Sequence, residues 1–119
     1  MNTRILICDD DIDMVHLISK KLTKNKYDVD VITQMVDFMD KVIDMEPDII
    51  LMDISMPEID GIKAAKMLYE NDSTAHIPLV FMSGDENIEK YAQQLNKLYI
   101  KKPFDLNKLQ SILNVYAIS

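Results

Sequence analysis

The feature that most restricts the fold of this chain is a regular alternation between apolar runs of strand length and stretches with helical periodicity. Four of the runs are almost uninterrupted, which is typical of parallel strands covered on both faces, whereas 28–31 alternates between Asp and Val and predicts an edge strand. Such an order predicts a doubly wound α/β sheet of five parallel strands with helices on both faces. The predicted strands are 5–8, 29–32, 49–52, 79–82 and 98–100.

Between these strands, apolar residues recur at the spacing of one helix face, and such a stripe predicts that each helix packs against the sheet. The third helix is predicted over 59–69, before the polar loop 71–74, and the fourth over 86–95. In the other three helices the stripes are Val15, Ile18 and Leu22; Met35, Phe38, Met39 and Val42; and Leu106, Leu109, Leu113 and Tyr116.

Composition and charge restrict the possible partners and the cellular location. With 119 residues, 48% of them hydrophobic, the chain is long enough for one domain, predicted over 1–119. The formal net charge of −7 argues against binding to nucleic-acid phosphates, and no apolar run is long enough to cross a membrane. The single cysteine, Cys8, excludes an internal disulfide and is predicted to lie buried in the core. We therefore expect a cytoplasmic protein that binds proteins or cations.

Polar residues follow four of the predicted strands at the point where each strand ends. Asp9 and Asp10 follow the first, Asp53 the third, Ser83 the fourth and Lys102 the fifth. Ligands of open α/β sheets bind beyond the carboxyl ends of the strands, so we expect these groups to converge there. Clustered carboxylates repel one another, and a hard cation with oxygen ligands such as Mg²⁺ holds them together at least cost. The sequence thus predicts a magnesium site with a lysine and a hydroxyl beside it.

Other polar residues have simpler explanations. Asp11 and Asp13 are predicted to cap or flank the first helix, since acidic residues favour helix N-termini. His16 and His76 have no partner pattern and are predicted to lie on the surface. The nine methionines fall mostly on the periodic faces, where core packing explains them better than a cofactor does.

Four motifs, in this order and spacing, give the chain a resemblance to a known family. They are the acidic pair Asp9-Asp10, the segment DISMPEIDG at 53–61, the pair Ser83-Gly84, and YIKKPF at 99–104. Along its whole length the chain resembles the receiver domain of a two-component response regulator, similar to the chemotaxis receiver. The resemblance implies a flavodoxin-like fold with strand order 2-1-3-4-5.

The resemblance also implies a role for each site residue. Asp53 would accept a phosphoryl group from a phosphohistidine on a sensor histidine kinase or a histidine phosphotransfer protein. Asp10 and Asp53 would bind Mg²⁺ through their side chains, Ser55 through its backbone carbonyl, and Asp9 mainly through water. Lys102 would contact the phosphoryl group and be followed by a cis bond to Pro103, while Ser83 and Tyr99 would act as the switch pair.

Such a protein would be a signalling phosphoacceptor and not an enzyme, with a downstream protein target and no direct contact with nucleic acid or membrane. It would be a monomer or a phosphorylation-dependent dimer. Because the chain ends soon after the last predicted helix, we expect a single-domain regulator; the alternative is an effector domain outside this sequence.

Two features depart from the family pattern. The segment between Ser83 and Tyr99 is shorter than the family leads one to expect, and Leu95-Asn96-Lys97 stands where a Gly is usual before the fifth strand. Asn adopts the left-handed conformation readily and could end the fourth helix there. Partner binding through this face therefore does not carry over directly from the family.

Two other functions fit parts of the sequence. A phosphatase of the haloacid dehalogenase type would use Asp9 as its nucleophile, because an apolar strand that ends in Asp-x-Asp also fits 7–11. That type needs a further acidic pair late in the chain, where only Asp105 and scattered acids stand. An interaction module that keeps the fold without switching is the other alternative.

Overall fold

The structure is a computed structural model that describes residues 2–54, 61–84, 88–94, 98–102 and 106–116. Five parallel strands form one sheet in the order β2-β1-β3-β4-β5, as the family resemblance implied. The strand β2 lies at one edge, which confirms the interpretation of its alternating pattern. The strands are β1 (Arg4–Cys8), β2 (Asp28–Ile32), β3 (Ile49–Asp53), β4 (Leu79–Ser83) and β5 (Leu98–Lys101).

Each strand is one residue longer than its apolar run predicted. The extension of β3 and β4 adds the polar residues Asp53 and Ser83 at their carboxyl ends. Both residues are therefore held by the ladder hydrogen bonds of the sheet instead of lying in loops, and β5 likewise ends at Lys101. The backbone of these chemically important positions is fixed by the parallel pairing itself.

Helices connect successive strands within the described residues, and the predicted alternation is confirmed. The third helix contains most of the range predicted for it, and the described part of the fourth lies inside its predicted range. None of the described helices has the length and apolar character needed to span a bilayer. The helices are α1 (Ile12–Lys24), α2 (Phe38–Met45), α3 (Gly61–Glu70), α4 (Ile88–Gln94) and α5 (Leu106–Tyr116).

The sheet separates two hydrophobic layers, because successive residues of each strand point to opposite faces. One layer packs α2, α3 and α4 against one face, and the other packs α1 and α5 against the opposite face. The predicted stripes supply these contacts: Val15, Ile18, Leu22, Met35, Phe38, Val42, Leu109 and Leu113 are all buried. The side chain of Tyr116, predicted to continue the last stripe, lies outside the described part of the chain.

Local signals in the sequence fix the ends of the helices. The Asp11 carboxylate accepts a hydrogen bond from the backbone N–H of Met14 at 3.1 Å, so Asp11 caps α1 as predicted, with Asp13 in the first turn. In the part of the chain that the structure describes, three residues that are not glycine have positive φ: Lys26 (70°), Asp37 (58°) and Glu46 (48°). Lys26 follows the C-cap of α1 and Glu46 is the C-cap of α2, where the left-handed conformation closes the helix.

Candidate functional site

Four of the predicted site residues meet at the carboxyl edge of the sheet, meaning the edge where the parallel strands end. Asp9 follows β1, Asp53 and Ser83 end β3 and β4, and Lys102 follows β5. Hydrogen bonds to the neighbouring strand fix the positions of these residues along the strand direction. The backbone N–H of Ile54 donates to the Met82 carbonyl at 3.2 Å, and that of Lys102 donates to the Ser83 carbonyl at 2.7 Å. The polar groups therefore converge because the strands end in register.

Asp9 is the most firmly held of these side chains. It is fully buried, and its backbone N–H donates to the carbonyl of Ile32 on β2 at 3.1 Å. Its Oδ1 accepts the backbone N–H of Asp11 at 3.0 Å, and its Oδ2 accepts a hydrogen bond from Lys102 Nζ at 2.6 Å. A buried carboxylate is costly unless it is paired and hydrogen-bonded, and both conditions are met here.

The ammonium group of Lys102 lies between two carboxylates. Its Nζ is 2.6 Å from Asp9 Oδ2 and 3.7 Å from Asp53 Oδ2, and its side chain is 21% exposed. The shorter distance marks Asp9 as the partner that holds the lysine, while Asp53 lies in the same positive field at a longer range. Lys102 thus partly offsets the repulsion between these two acids.

A third carboxylate completes an acidic cluster. Asp9, Asp10 and Asp53 each offer an oxygen, and these three atoms all lie within 4.8 Å of one another. Asp10 is exposed and Asp53 is 7% exposed, so the cluster is reached from solvent through Asp10 and Asp53 and not through Asp9. Three hard oxygen donors at this spacing fit Mg²⁺ better than a soft transition metal.

The two predicted switch residues occupy different environments. Ser83 is 3% exposed and ends β4, the strand beside β3, while Tyr99 on β5 pairs with Phe81 and is 37% exposed. The hydroxyl is therefore buried at the carboxyl edge, and the phenol ring lies partly in solvent.

Gly61 brings the start of α3 against the end of β3. Its backbone N–H donates to the Ile54 carbonyl at 2.7 Å. A Cβ at this position would lie 2.8 Å from the Asp53 carbonyl oxygen and 2.8 Å from the Ile54 Cα. Its φ is not positive, so glycine is required here by close packing and not by backbone conformation.

Several predictions lie outside the described residues. These are the backbone ligand Ser55, the cis bond before Pro103, and the helix end at Leu95-Asn96-Lys97. They stay predictions. His16 and His76 are exposed, as predicted.

Cys8 is buried beside the site, as predicted. Burial raises the pKa of the Cys8 thiol far above its usual range, and the neighbouring Asp9 carboxylate raises it further, against a smaller opposite effect of Lys41. The thiol is consequently neutral and unreactive at physiological pH.

Three contacts could not be found from the sequence. They are the 2.6 Å ion pair of Lys102 with Asp9, the Ile32 carbonyl that holds the Asp9 backbone, and the crowding at Gly61. The first two depend on strands far apart in sequence. The burial of Asp9 also opposes its use as the nucleophile of a phosphatase, because no substrate reaches a fully buried carboxylate.

Comparison with known proteins finds relatives among chemotaxis proteins. The chain is 36% identical over 110 residues to the chemotaxis protein CheY of Treponema pallidum, covering 89% of this chain and 76% of that protein. It is 34% identical over 116 residues to CheY of Bacillus subtilis, covering 96% and 97% of the two chains.

A solved structure shares the fold at a lower identity. The receiver domain of sensor histidine kinase PA1611 from Pseudomonas aeruginosa superposes with a TM-score of 0.86 at 22% identity, covering 98% of each chain, and that structure has a magnesium ion in its active-site cleft. The family model of the response regulator receiver domain matches residues 5–114. The chain therefore belongs to the response regulator receiver domain family of two-component signalling and is CheY-like.

Proposed function

We propose that this chain is a phosphoacceptor, in which Asp53 receives a phosphoryl group from a phosphohistidine on a sensor histidine kinase or a histidine phosphotransfer protein. The observation that carries the proposal is the position of Asp53. Its carboxylate ends a buried strand, is 3.7 Å from Lys102 Nζ and shares a 4.8 Å cluster with Asp9 and Asp10. The Asp53 side chain keeps 10% exposure, and its backbone is fixed in β3. Asp9, by contrast, is fully buried, and Asp10 lies beyond the end of β1.

In this reaction a carboxylate oxygen of Asp53 forms a bond to phosphorus while the P–N bond of the phosphohistidine breaks. The imidazole nitrogen keeps the electron pair of the broken bond and takes up a proton from solvent. The main obstacle is the repulsion between the carboxylate and the anionic phosphoryl group. Lys102 lowers that repulsion, and its hydrogen bond to Asp9 keeps the ammonium group within 3.7 Å of Asp53.

We assign Mg²⁺ to the acidic cluster. Asp10 and Asp53 would bind it through their side chains, Asp9 through water and Ser55 through its backbone carbonyl. When bound, the ion would neutralise negative charge on the phosphoryl oxygens. The oxygen donors of the cluster and the magnesium ion of the Pseudomonas aeruginosa receiver domain support this assignment.

The output of the chain would be a change of its surface and not turnover of a separate substrate. The Ser83 hydroxyl would donate to a phosphoryl oxygen, and Tyr99 would move inward, so that a downstream protein binds one of two conformations. The burial of Ser83 and the 37% exposure of Tyr99 support this pair of roles. Direct contact with nucleic acid is not part of the proposal, and the phosphorylated form would be a monomer or a dimer.

Labelling with acetyl phosphate tests the site of modification. The protein is incubated with acetyl phosphate and Mg²⁺, the acyl phosphate is trapped with borohydride, and the labelled residue is identified by peptide mass spectrometry. We expect label on Asp53, loss of label in Asp53→Asn, and full labelling in the control Asp13→Asn, which changes an exposed acid on α1 by the same charge. Label on Asp9 would instead support the phosphatase and contradict the receiver mechanism.

Amide NMR tests the switch separately from the labelling. Phosphorylation is expected to shift the signals of Ser83 and Tyr99, whereas the signals of an Asp53→Asn protein treated in the same way should not move. If the wild-type protein is labelled on Asp53 and these signals do not move, the chain is an interaction module that does not switch.

A further inference from the structure

A cavity lies at the opposite edge of the sheet, where β3 and β4 begin. It has a volume of about 480 Å³ and lies between the C-terminal end of α2 and the loop that precedes β4. This volume is in the range of roughly 300–1,000 Å³ that is usual for binding pockets. We call it the basal pocket and define it by Ile43, Glu46, Pro47, Asp48, His76 and Ile77. The phosphoacceptor chemistry does not use any of these residues.

The basal pocket combines an apolar wall with two acids. Ile77, at the inner side of the pocket, is 6% exposed, whereas Ile43 on the outer face of α2 is 44% exposed. Glu46 and Asp48 bring two carboxylates to the same cavity. The C-terminal end of α2 adds the negative end of a helix dipole, and its last turn has no basic residue.

Within the described part of the chain, neither Glu46 nor Asp48 forms a salt bridge. The ion pairs found there are both made by Lys102 at the other edge of the sheet. Arg4 lies nearby, but its Nη1 donates to the Met45 carbonyl at 2.9 Å, and its backbone N–H donates to Asp48 Oδ2 at 2.8 Å. Arg4 therefore satisfies a helix carbonyl and orients Asp48 without forming a salt bridge with it.

We propose that the basal pocket docks a segment of a partner protein in which an arginine stands next to a large aliphatic residue. The aliphatic side chain would cover Ile43, and the guanidinium would lie between the Glu46 and Asp48 carboxylates at the C-terminal end of α2. A guanidinium suits the site because its planar donors can bind carboxylate and carbonyl oxygens together. The charge of the cavity opposes phosphate groups, so nucleic acid is a poor occupant.

Fluorescence anisotropy with two labelled peptides tests the proposal. The first peptide alternates leucine and arginine; the second replaces each arginine by citrulline, which keeps the shape and removes the charge. We expect the arginine peptide to bind and its affinity to fall as ionic strength rises from about 0.02 to about 0.2 M. Amide NMR should place its contacts at 42–48 and 73–77. Equal binding of the citrulline peptide, or contacts elsewhere, would overturn the proposal.

Two pairs of variants connect the binding to the pocket. Glu46→Gln should weaken the arginine peptide about threefold, in line with an exposed ion pair, and Ile43→Lys about tenfold, because it also places a like charge in the pocket. The matched controls are Asp13→Asn and Leu17→Lys, which make the same changes of charge at exposed positions of α1. Equal effects of a variant and its control would show general charge attraction only and contradict the pocket.

Two further measurements separate this proposal from others. Asp53→Asn should bind the peptide as the wild type does, so failure of the phosphoacceptor mechanism leaves the docking result intact. Sedimentation of the protein without peptide should show one species at all concentrations. A dimer that Ile43→Lys abolishes would make a second copy of this chain the occupant and overturn the partner segment.

Discussion

Replacement of Gly61 by alanine tests how closely α3 is packed against β3, the strand that ends at Asp53. The new Cβ would lie 2.8 Å from two backbone atoms, the Asp53 oxygen and the Ile54 Cα, and 3.2 Å from the Met52 Cγ. The flexible Met52 side chain can move, but the two backbone atoms have to retreat by roughly half an ångström to reach van der Waals distance. Overpacking of this kind costs about 1–3 kcal/mol. Against it, alanine gains about 0.5–1 kcal/mol over glycine in helix propensity and chain entropy.

The steric cost is the larger of the two, so we expect Gly61→Ala to lower the free energy of unfolding by about 1–2 kcal/mol, measured by urea denaturation. The displaced Asp53 should also react more slowly with acetyl phosphate, by about tenfold for a shift of this size. Gly84→Ala is the matched control, because a Cβ there has no neighbour within 4 Å among the described residues and the φ of Gly84 is not positive. If Gly61→Ala is as stable and as reactive as Gly84→Ala, the close contact does not constrain the strand.

Three further predictions concern charge and backbone conformation. Lys26→Gly should raise the free energy of unfolding by about 0.5 kcal/mol, because Lys26 has a φ of 70° and glycine adopts this conformation without strain. Lys20→Gly, in the middle of α1, should lower the free energy of unfolding by about 1 kcal/mol. If both variants change the free energy of unfolding in the same direction in urea denaturation, the prediction is wrong. The Cys8 thiol ionises near pH 8.5 in the unfolded chain, whereas the folded thiol stays protonated. Above that pH the folded state therefore binds more protons than the unfolded state. The free energy of unfolding should consequently fall by about 1.4 kcal/mol per pH unit. This slope should be absent from Cys8→Ala. The denaturation curves stop at pH 9.5, because Tyr and Lys side chains ionise only at about pH 10 and above. A slope that persists in Cys8→Ala would belong to another group. Asp10→Asn should stabilise the protein in EDTA by about 1 kcal/mol by removing one charge from the cluster, and should reduce the stabilisation by added Mg²⁺; a loss of stability in EDTA would refute the repulsion.

The sequence contains enough information to predict the layers of the fold. The apolar runs and helical stripes depend on burial, and burial has the same periodicity wherever an element lies in the sheet. The edge position of β2 was also predictable, because the acids of 28–31 could not face a covering helix. The strand order, by contrast, rested on the family resemblance.

The convergence of the site residues was predictable from the sequence, but their contacts were not. Polar residues at four strand ends predicted a shared site, and Asp9, Asp53, Ser83 and Lys102 do meet there. Which acid holds the lysine was not predictable, because the 2.6 Å contact depends on how far β1 and β5 extend and on the burial of Asp9. Periodicity indicates which face a residue occupies, and it does not fix distances between strands that are not neighbours.

The acids of β2 have a consequence for crowded solutions. An edge strand offers unpaired backbone groups to any second sheet, and β2 presents exposed carboxylates at Asp28 and Asp30 beside Val31, which is 38% exposed. Two molecules that met along this edge would bring four carboxylates together while trying to join their sheets. This repulsion opposes the addition of another strand along β2, so we expect this edge to resist the pairing from which fibrils grow.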